Sequence, residues 1–384
     1  MMIYLNNAAT SWPKPETVYQ AHDAYLRHLS GSVNRGAGGA SLDAGRAVLE
    51  TRELLADFFN IREPEQVIFT ANATEALNLA LQGLLEPGDH VVISSLEHNA
   101  VARPLHTLQD KGVEYTIVNC DARGRLNPLD VERAIGPRTR LICLTHASNV
   151  TGTILPVNEV GEIARRHHLQ YLVDTAQTAG EIPVDVEAAG ITLLAFTGHK
   201  GLLGPPGTGG LYIRYPDTVR PLIYGGTGSR SELLTQPEVL PDKYESGTVN
   251  APAIAALGAG VRFIRETGLD NIRRHTRELT ARLLEGLRRL PGVTLYGPTD
   301  SGERVPVVSL NIRGLSPGEA SAWLADHYDI VSRPGLHCAP LAHQTIGTLK
   351  TGTLRLSPGF FNTAAEIDAA LAAIKELMEV MQGE

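Results

Sequence analysis

Between residues 65 and 215, short apolar runs alternate with stretches whose apolar side chains recur every three or four positions. The first pattern predicts strands over 66–70, 90–94, 114–118, 140–145, 170–174, 193–196 and 208–213. The second predicts helices over 74–85, 100–111, 130–135 and 157–168. The strands are apolar nearly throughout rather than at alternate positions. Both faces of their sheet must therefore be covered, as in a mostly parallel α/β sheet. In such sheets, binding groups gather in loops beyond the strands' carboxyl ends, and Thr74, His146, Asn149, Asp174 and Gln177 all fall near such ends. After residue 250 the texture changes. Long helical patterns over 251–266, 271–290, 317–327 and 364–381 surround strand-like runs at 305–312 and 353–356. A large α/β domain over 16–250 is expected, with a smaller α+β domain built from 1–15 and 251–384.

Composition narrows the function classes. A net charge of −8 argues against a nucleic-acid binder, which is usually basic. No apolar run approaches a membrane span, and the N-terminal residues lack a signal-peptide pattern. Three cysteines cannot make a disulfide framework in a chain of 384 residues. They point to the reducing cytoplasm.

The candidate chemistry begins with Lys200, at the end of Thr197-Gly198-His199-Lys200, and Asp174, at the end of Tyr171-Leu172-Val173-Asp174. An amine beside a carboxylate suits an aldehyde cofactor such as pyridoxal phosphate, the amine binding the aldehyde and the carboxylate a ring nitrogen. Thr74 opens a helix, where N–H groups and the dipole suit a phosphate, though taken alone a plain N-cap explains it better. His98 could stack on a flat ring or cap the helix that follows. Asn149 could bond a carboxylate or form an Asx-turn. Gln177 follows Asp174 by a step that turns both toward one ligand, and Thr248, ahead of a long helix, offers a second phosphate contact. Cys143 lies in a strand and Cys120 has a similarly inert setting. Cys338 differs, because Gly335 and Pro340 bracket it and Arg333, His337 and His343 lie nearby. Positive neighbours raise the thiolate fraction. Zinc is a weak reading there, since no second cysteine pair is present. Arg355 is a lone arginine in an apolar strand and needs an anion, either a ligand's carboxylate or a structural partner.

Nine motifs occur in order: Tyr4-Leu5-Asn6-Asn7-Ala8-Ala9-Thr10, Ala73-Thr74-Glu75, Glu97-His98-Asn99, Ser148-Asn149-Val150-Thr151-Gly152, Asp174-Thr175-Ala176-Gln177, Gly198-His199-Lys200, Gly247-Thr248, His337-Cys338-Ala339 and Thr353-Leu354-Arg355. With them the chain resembles class V aminotransferase-fold enzymes, and within these the cysteine desulfurases of the SUF-like group II and the selenocysteine lyase branch. The resemblance runs nearly end to end. It implies a fold-type I pyridoxal 5'-phosphate enzyme, a homodimer with sites at the subunit interface. By motif, Lys200 is the Schiff-base lysine, Asp174 meets the pyridine nitrogen, Gln177 the phenolic oxygen, and His98 stacks on the ring. Thr74, Thr197 and His199 hold the phosphate, with Thr248 from the partner subunit. Asn149 and Arg355 bind the substrate carboxylate, Arg35 lines the entrance, and Cys338 accepts the sulfur. The implied reaction converts L-cysteine to L-alanine and leaves a persulfide on Cys338 for a sulfur-acceptor protein. The same fold also serves selenocysteine lyases and other amino-acid lyases or racemases, and, more remotely, a non-catalytic sulfur-relay partner. The chain departs from the group pattern at Asn6, where aspartate is usual, and at Leu336, where histidine is usual. It also starts close to its first motif, without the extra N-terminal helix expected of the group.

Overall fold

The structure is a computed structural model and describes residues 2–29, 33 and 39–383 of the chain. A short strand, β1 (Ile3–Tyr4), precedes helices Glu16–His28 and Gly39–Phe59. The main sheet follows: β2 (Val67–Thr70), β3 (His90–Ser94), β4 (Glu114–Val118), β5 (Thr139–Thr145), β6 (Gln170–Asp174), β7 (Leu193–Thr197) and β8 (Gly209–Ile213). Their spatial order is β2-β8-β7-β6-β5-β3-β4. Neighbours from β4 to β7 are parallel, while β8 is antiparallel to both β7 and β2.

The unbroken apolar runs have a direct cause. Within β5, Ile142 and Leu144 join the core on one side of the sheet, while Leu141 and Cys143 join the core on the other. Tyr171 and Val173 separate from Leu172 in the same way on β6. Each fully buried Leu, Ile or Val contributes roughly 1.5–3 kcal/mol relative to exposure, so two covered faces favour apolar residues on both sides through the middle of a central strand.

A second sheet is antiparallel. It contains β9 (Val293–Tyr296), β10 (Val308–Ile312), β12 (Arg333–Gly335) and β13 (Thr353–Leu356), in the order β12-β13-β10-β9. Helices Leu269–Arg288, Pro317–Tyr328 and Ala364–Gly383 contribute to its core with Leu5. The N-terminal segment belongs structurally to this side, since β1 pairs with β11 (Ile330–Val331) and Asn6 bridges to Ser357. Helix Ala251–Thr267, which the expected division assigns to the small domain, buries Ile254, Leu257, Val261 and Ile264 in a core of the main sheet.

The strands expected at 66–70 through 208–213 and the four helices between them are all present. Helix Glu16–His28 and the short strands β9, β11 and β12 carry no comparable pattern, whereas helix Gly39–Phe59 buries Ala44, Val48, Leu55 and Phe59 as one stripe ahead of the stretch in which the alternation is read. Helix Glu16–His28 buries only Val18 and Tyr25, and strands of two to four residues are too short to display a period. The topology also positions a site. From β3 the chain places β4 on one flank and β5 on the other. The loops after β3 and β5 therefore diverge and open a crevice at the carboxyl ends.

Candidate active site

That crevice holds the first cluster. Thr74, His98, Asn149, Asp174, Gln177, Thr197, His199 and Lys200 line one pocket. Lys200 stands three residues beyond β7, on a turn held by Gly198 N–H donating to the Thr208 carbonyl (2.8 Å) and Gly204 N–H donating to Gly198 (2.8 Å). A Cβ on Gly198 would lie 2.1 Å from Thr208 Oγ1, so the close approach requires glycine. Burial lowers the Lys200 amine to about 8, opposed by Asp174 and aided by Arg355 and Arg333.

Asp174 ends β6 and is buried, with Oδ1 accepting from Ala176 N–H (2.9 Å). Burial raises its carboxyl, while that bond and Lys200 act in the opposite direction. Gln177 donates from Nε2 to the Ala8 carbonyl (3.1 Å). His98 both lines the pocket and caps helix Asn99–Gln109, its Nδ1 accepting from Ala100 N–H (3.0 Å). The ring is pushed down to about 4 by burial and then by Lys200. It is therefore neutral near pH 7, with its proton on Nε2.

At helix Ala73–Leu84 the cap is Asn72, which accepts from Glu75 N–H, and not Thr74. The Thr74 hydroxyl makes no hydrogen bond among the described residues and faces the pocket beside the helix N-terminus. Thr197 ends β7, buried. His199 is lowered to about 4 by burial, then by Lys200 and Lys14. An amine, a carboxylate, a neutral imidazole and a helix N-terminus with a free hydroxyl are the donor set that a phosphorylated pyridine aldehyde requires.

The second cluster comes from the small sheet. Arg355 on β13 is fully buried. Its NH1 donates to the Asn149 carbonyl (3.0 Å), NH2 donates to Asn6 Oδ1 (3.2 Å), and Nε has no partner. Burial and then Arg333 bring it down to about 9. Asn149 donates from Nδ2 to the His337 carbonyl (2.7 Å), a link to the cysteine loop rather than a local turn. Cys338 is exposed and lies outside the Lys200 pocket, in an adjoining groove that shares Thr74 and His98. His337 and Cys338 both have left-handed backbones, with φ of 50° and 59°. Asn99 N–H donates to the Cys338 carbonyl (2.8 Å), and Arg333 NH2 stands 3.6 Å from Sγ. Cys120, by contrast, is pushed up to about 12 by burial.

One expected residue lies outside these pockets, and another cannot be placed. Thr248 is exposed and lines a separate pocket with Arg52 and Glu245, and Arg35 is outside the described residues. Four others brace the site without an expected role: Thr10 and Glu97 lie inside motifs, and Ser11 and Lys14 outside them. The His199 carbonyl accepts from Thr10 Oγ1 (3.1 Å), Ser11 Oγ (3.2 Å), Ser11 N–H (3.0 Å) and Lys14 Nζ (2.8 Å), and Ser11 Oγ also reaches the Lys200 carbonyl (2.9 Å). Buried Glu97 accepts from Ser94 Oγ (2.5 Å) and Thr145 N–H (3.0 Å), tying β3 to β5. Burial raises its carboxyl to about 8.

Fold and site together define a class. The chain belongs to the aminotransferase class-V family, whose model matches residues 3–370. That family is generally pyridoxal phosphate-dependent. Among its relatives, a probable cysteine desulfurase from Methanothermobacter thermautotrophicus is 35% identical over 382 residues, covering 98% of this chain and 94% of the relative. A cysteine desulfurase from Salmonella agona is 32% identical, covering 99% and 94%. The solved apo structure of a cysteine desulfurase from Thermococcus onnurineus superposes with a TM-score of 0.93 at 35% identity, covering 98% and 95%. Among the described residues, no helix is long and apolar enough to cross a membrane.

Proposed function

We propose that this protein is a cysteine desulfurase that takes sulfur from L-cysteine, releases L-alanine and carries the sulfur as a persulfide on Cys338. The observation that carries the reading is the position of His98, which lines both the Lys200–Asp174 pocket and the groove of the Cys338 thiol. Pyridoxal phosphate, when bound, supplies an electron sink for the charge left at the substrate Cα. Lys200 would hold its aldehyde, Asp174 the proton on its ring nitrogen, Gln177 its phenolic oxygen, and Thr74, Thr197 and His199 its phosphate. Asn149 and Arg355 orient the substrate carboxylate. The Lys200 amine then removes the Cα proton, a task that suits a group titrating at about 8. The Cys338 thiolate attacks the substrate sulfur. The Cβ–S bond breaks, its electron pair returns to carbon and collects a proton, and a new S–S bond forms at Cys338. The exposed position of Thr248, away from its own pocket, supports a homodimer in which it completes the phosphate site of the other subunit. A sulfur-acceptor protein in the cytoplasm would receive the persulfide.

Alanine release from cysteine, measured in wild type and Cys338→Ala, tests the reading. The variant is expected to lose at least about 100-fold in rate, the scale of a lost nucleophile or acid–base group. Full activity of the variant on cysteine would end the persulfide role. Loss on cysteine with full activity on L-selenocysteine would instead identify a selenocysteine lyase, because selenium leaves without thiol assistance.

A further inference from the structure

Arg355 is a buried cation without an anion. Its two bonded nitrogens meet neutral oxygens, its Nε meets nothing, and neither it nor Arg333 pairs with a carboxylate among the described residues. The register places Arg333 directly opposite Arg355 across β12 and β13, and like charges so placed repel. A buried guanidinium normally recruits Asp or Glu, because an uncompensated charge is costly. Here the side chain in that position is Asn6. It cannot drift away, since Ser357 N–H donates to the Leu5 carbonyl (2.7 Å) and Asn7 N–H donates to the Ser357 carbonyl (3.1 Å). Aspartate would set a charged oxygen where Oδ1 already lies, with no movement of the backbone.

We propose that Asn6 is the residue that sets affinity for the substrate carboxylate, by holding Arg355 through a neutral oxygen and leaving its charge uncompensated. The inference rests on the reading of Arg355 as the carboxylate-binding group. An incoming carboxylate then meets a full, oriented charge. With an internal carboxylate at position 6 it would have to compete with an existing ion pair. The cost is borne by the unliganded protein, which keeps two facing guanidinium groups without a carboxylate partner among the described residues. Asn6 is thus a positioning residue whose neutrality matters as much as its hydrogen bond.

The test compares Asn6→Asp, Asn6→Ala and Arg355→Ala in the cofactor-loaded protein, reading KM for L-cysteine and the dissociation constant for L-alanine. The melting temperature of cofactor-free protein is read in parallel. Asn6→Asp is expected to weaken both constants by about 10- to 100-fold, the weight of one charge-assisted contact, with kcat nearly unchanged. It is also expected to raise the melting temperature at pH 7.5. Asn6→Ala keeps the charge but loses the bond, and should weaken binding less than Asn6→Asp. Arg355→Ala should weaken alanine binding most. If Asn6→Asp binds alanine as wild type does, or Asn6→Ala binds it worse than Asn6→Asp, the proposal is overturned while Arg355 keeps its role. If Arg355→Ala leaves alanine binding unchanged, the carboxylate-binding reading fails and the proposal fails with it.

Discussion

Lys200 and Cys338 stand on either side of His98, yet they are held in different ways. Lys200 sits beyond the ends of parallel strands whose residues are almost all buried, and its flanking carbonyls take hydrogen bonds from Thr10, Ser11 and Lys14. Cys338 sits exposed on a loop between β12 and helix Pro340–Thr345, in a backbone conformation that side-chain-bearing residues rarely adopt. Two consecutive left-handed residues cost on the order of 1–3 kcal/mol each. Long-range bonds from Asn149 and Asn99, and one between His337 Nε2 and Thr353 Oγ1 (3.0 Å), hold them there. A base that must find one proton gains from rigidity. On the proposed reaction, the Cys338 thiol collects sulfur and surrenders it, which calls for an open approach, and strain fixed by distant contacts can aim it without covering it.

The contrast breaks most visibly at Lys200. Lys200→Ala is expected to purify colourless, to stay so with added pyridoxal phosphate, and to lose at least about 1,000-fold in alanine release; absorbance near the visible edge reads the first effect. Cys338→Ala should separate the two effects, keeping the colour while losing turnover. A colourless Cys338→Ala would show that the two sides are not separable.

A smaller effect concerns pH. Glu97 is buried on the lysine side with its folded value raised to about 8. A raised acid stabilises the fold fully below its unfolded value near 4.5, and that stability drains away as pH rises through about 8. Wild type should therefore lose melting temperature between about pH 5 and pH 8, with little further loss from this group above that. The loss in stability can reach a few kcal/mol, since each tenfold change in proton affinity is worth about 1.4 kcal/mol. Glu97→Gln cannot ionise and should give a flatter profile; equal slopes in the two proteins would refute this source. The smallest expected change is Ser11→Ala, which removes the bridge to the His199 and Lys200 carbonyls and should cost about 1 kcal/mol in chemical denaturation.

Much of the lysine side is readable from the chain because its residues follow strands with a strong apolar pattern. Asp174 ends one such run and Lys200 follows another, so motif and topology point to the same crevice. The thiol side is readable only in part. Gly335 and Pro340 announce a loop around Cys338, but no local pattern places that loop against His98, more than two hundred residues earlier. The cap of helix Ala73–Leu84 shows the limit at short range: Asn72 and Thr74 are both good capping residues, and only the folded backbone selects Asn72 and frees the Thr74 hydroxyl. Asn6 stands out only as a departure from a motif, and Ser11 and Lys14 carry no signal as site residues, because their contacts depend on how the N-terminal segment docks.

Burial periodicity and motif chemistry are local properties, so the strand–helix alternation, the doubly covered sheet and the set of chemical groups are all written along the chain. The motifs group the residues of the lysine pocket, but how that pocket is closed from the N-terminal segment is not written there. Nor is the placement of Cys338 beside that pocket rather than in it, or the meeting of Arg355 with an amide instead of a carboxylate. Those outcomes depend on two separately built sheets meeting across an N-terminal segment, and side-chain pattern along a chain does not encode how distant surfaces dock.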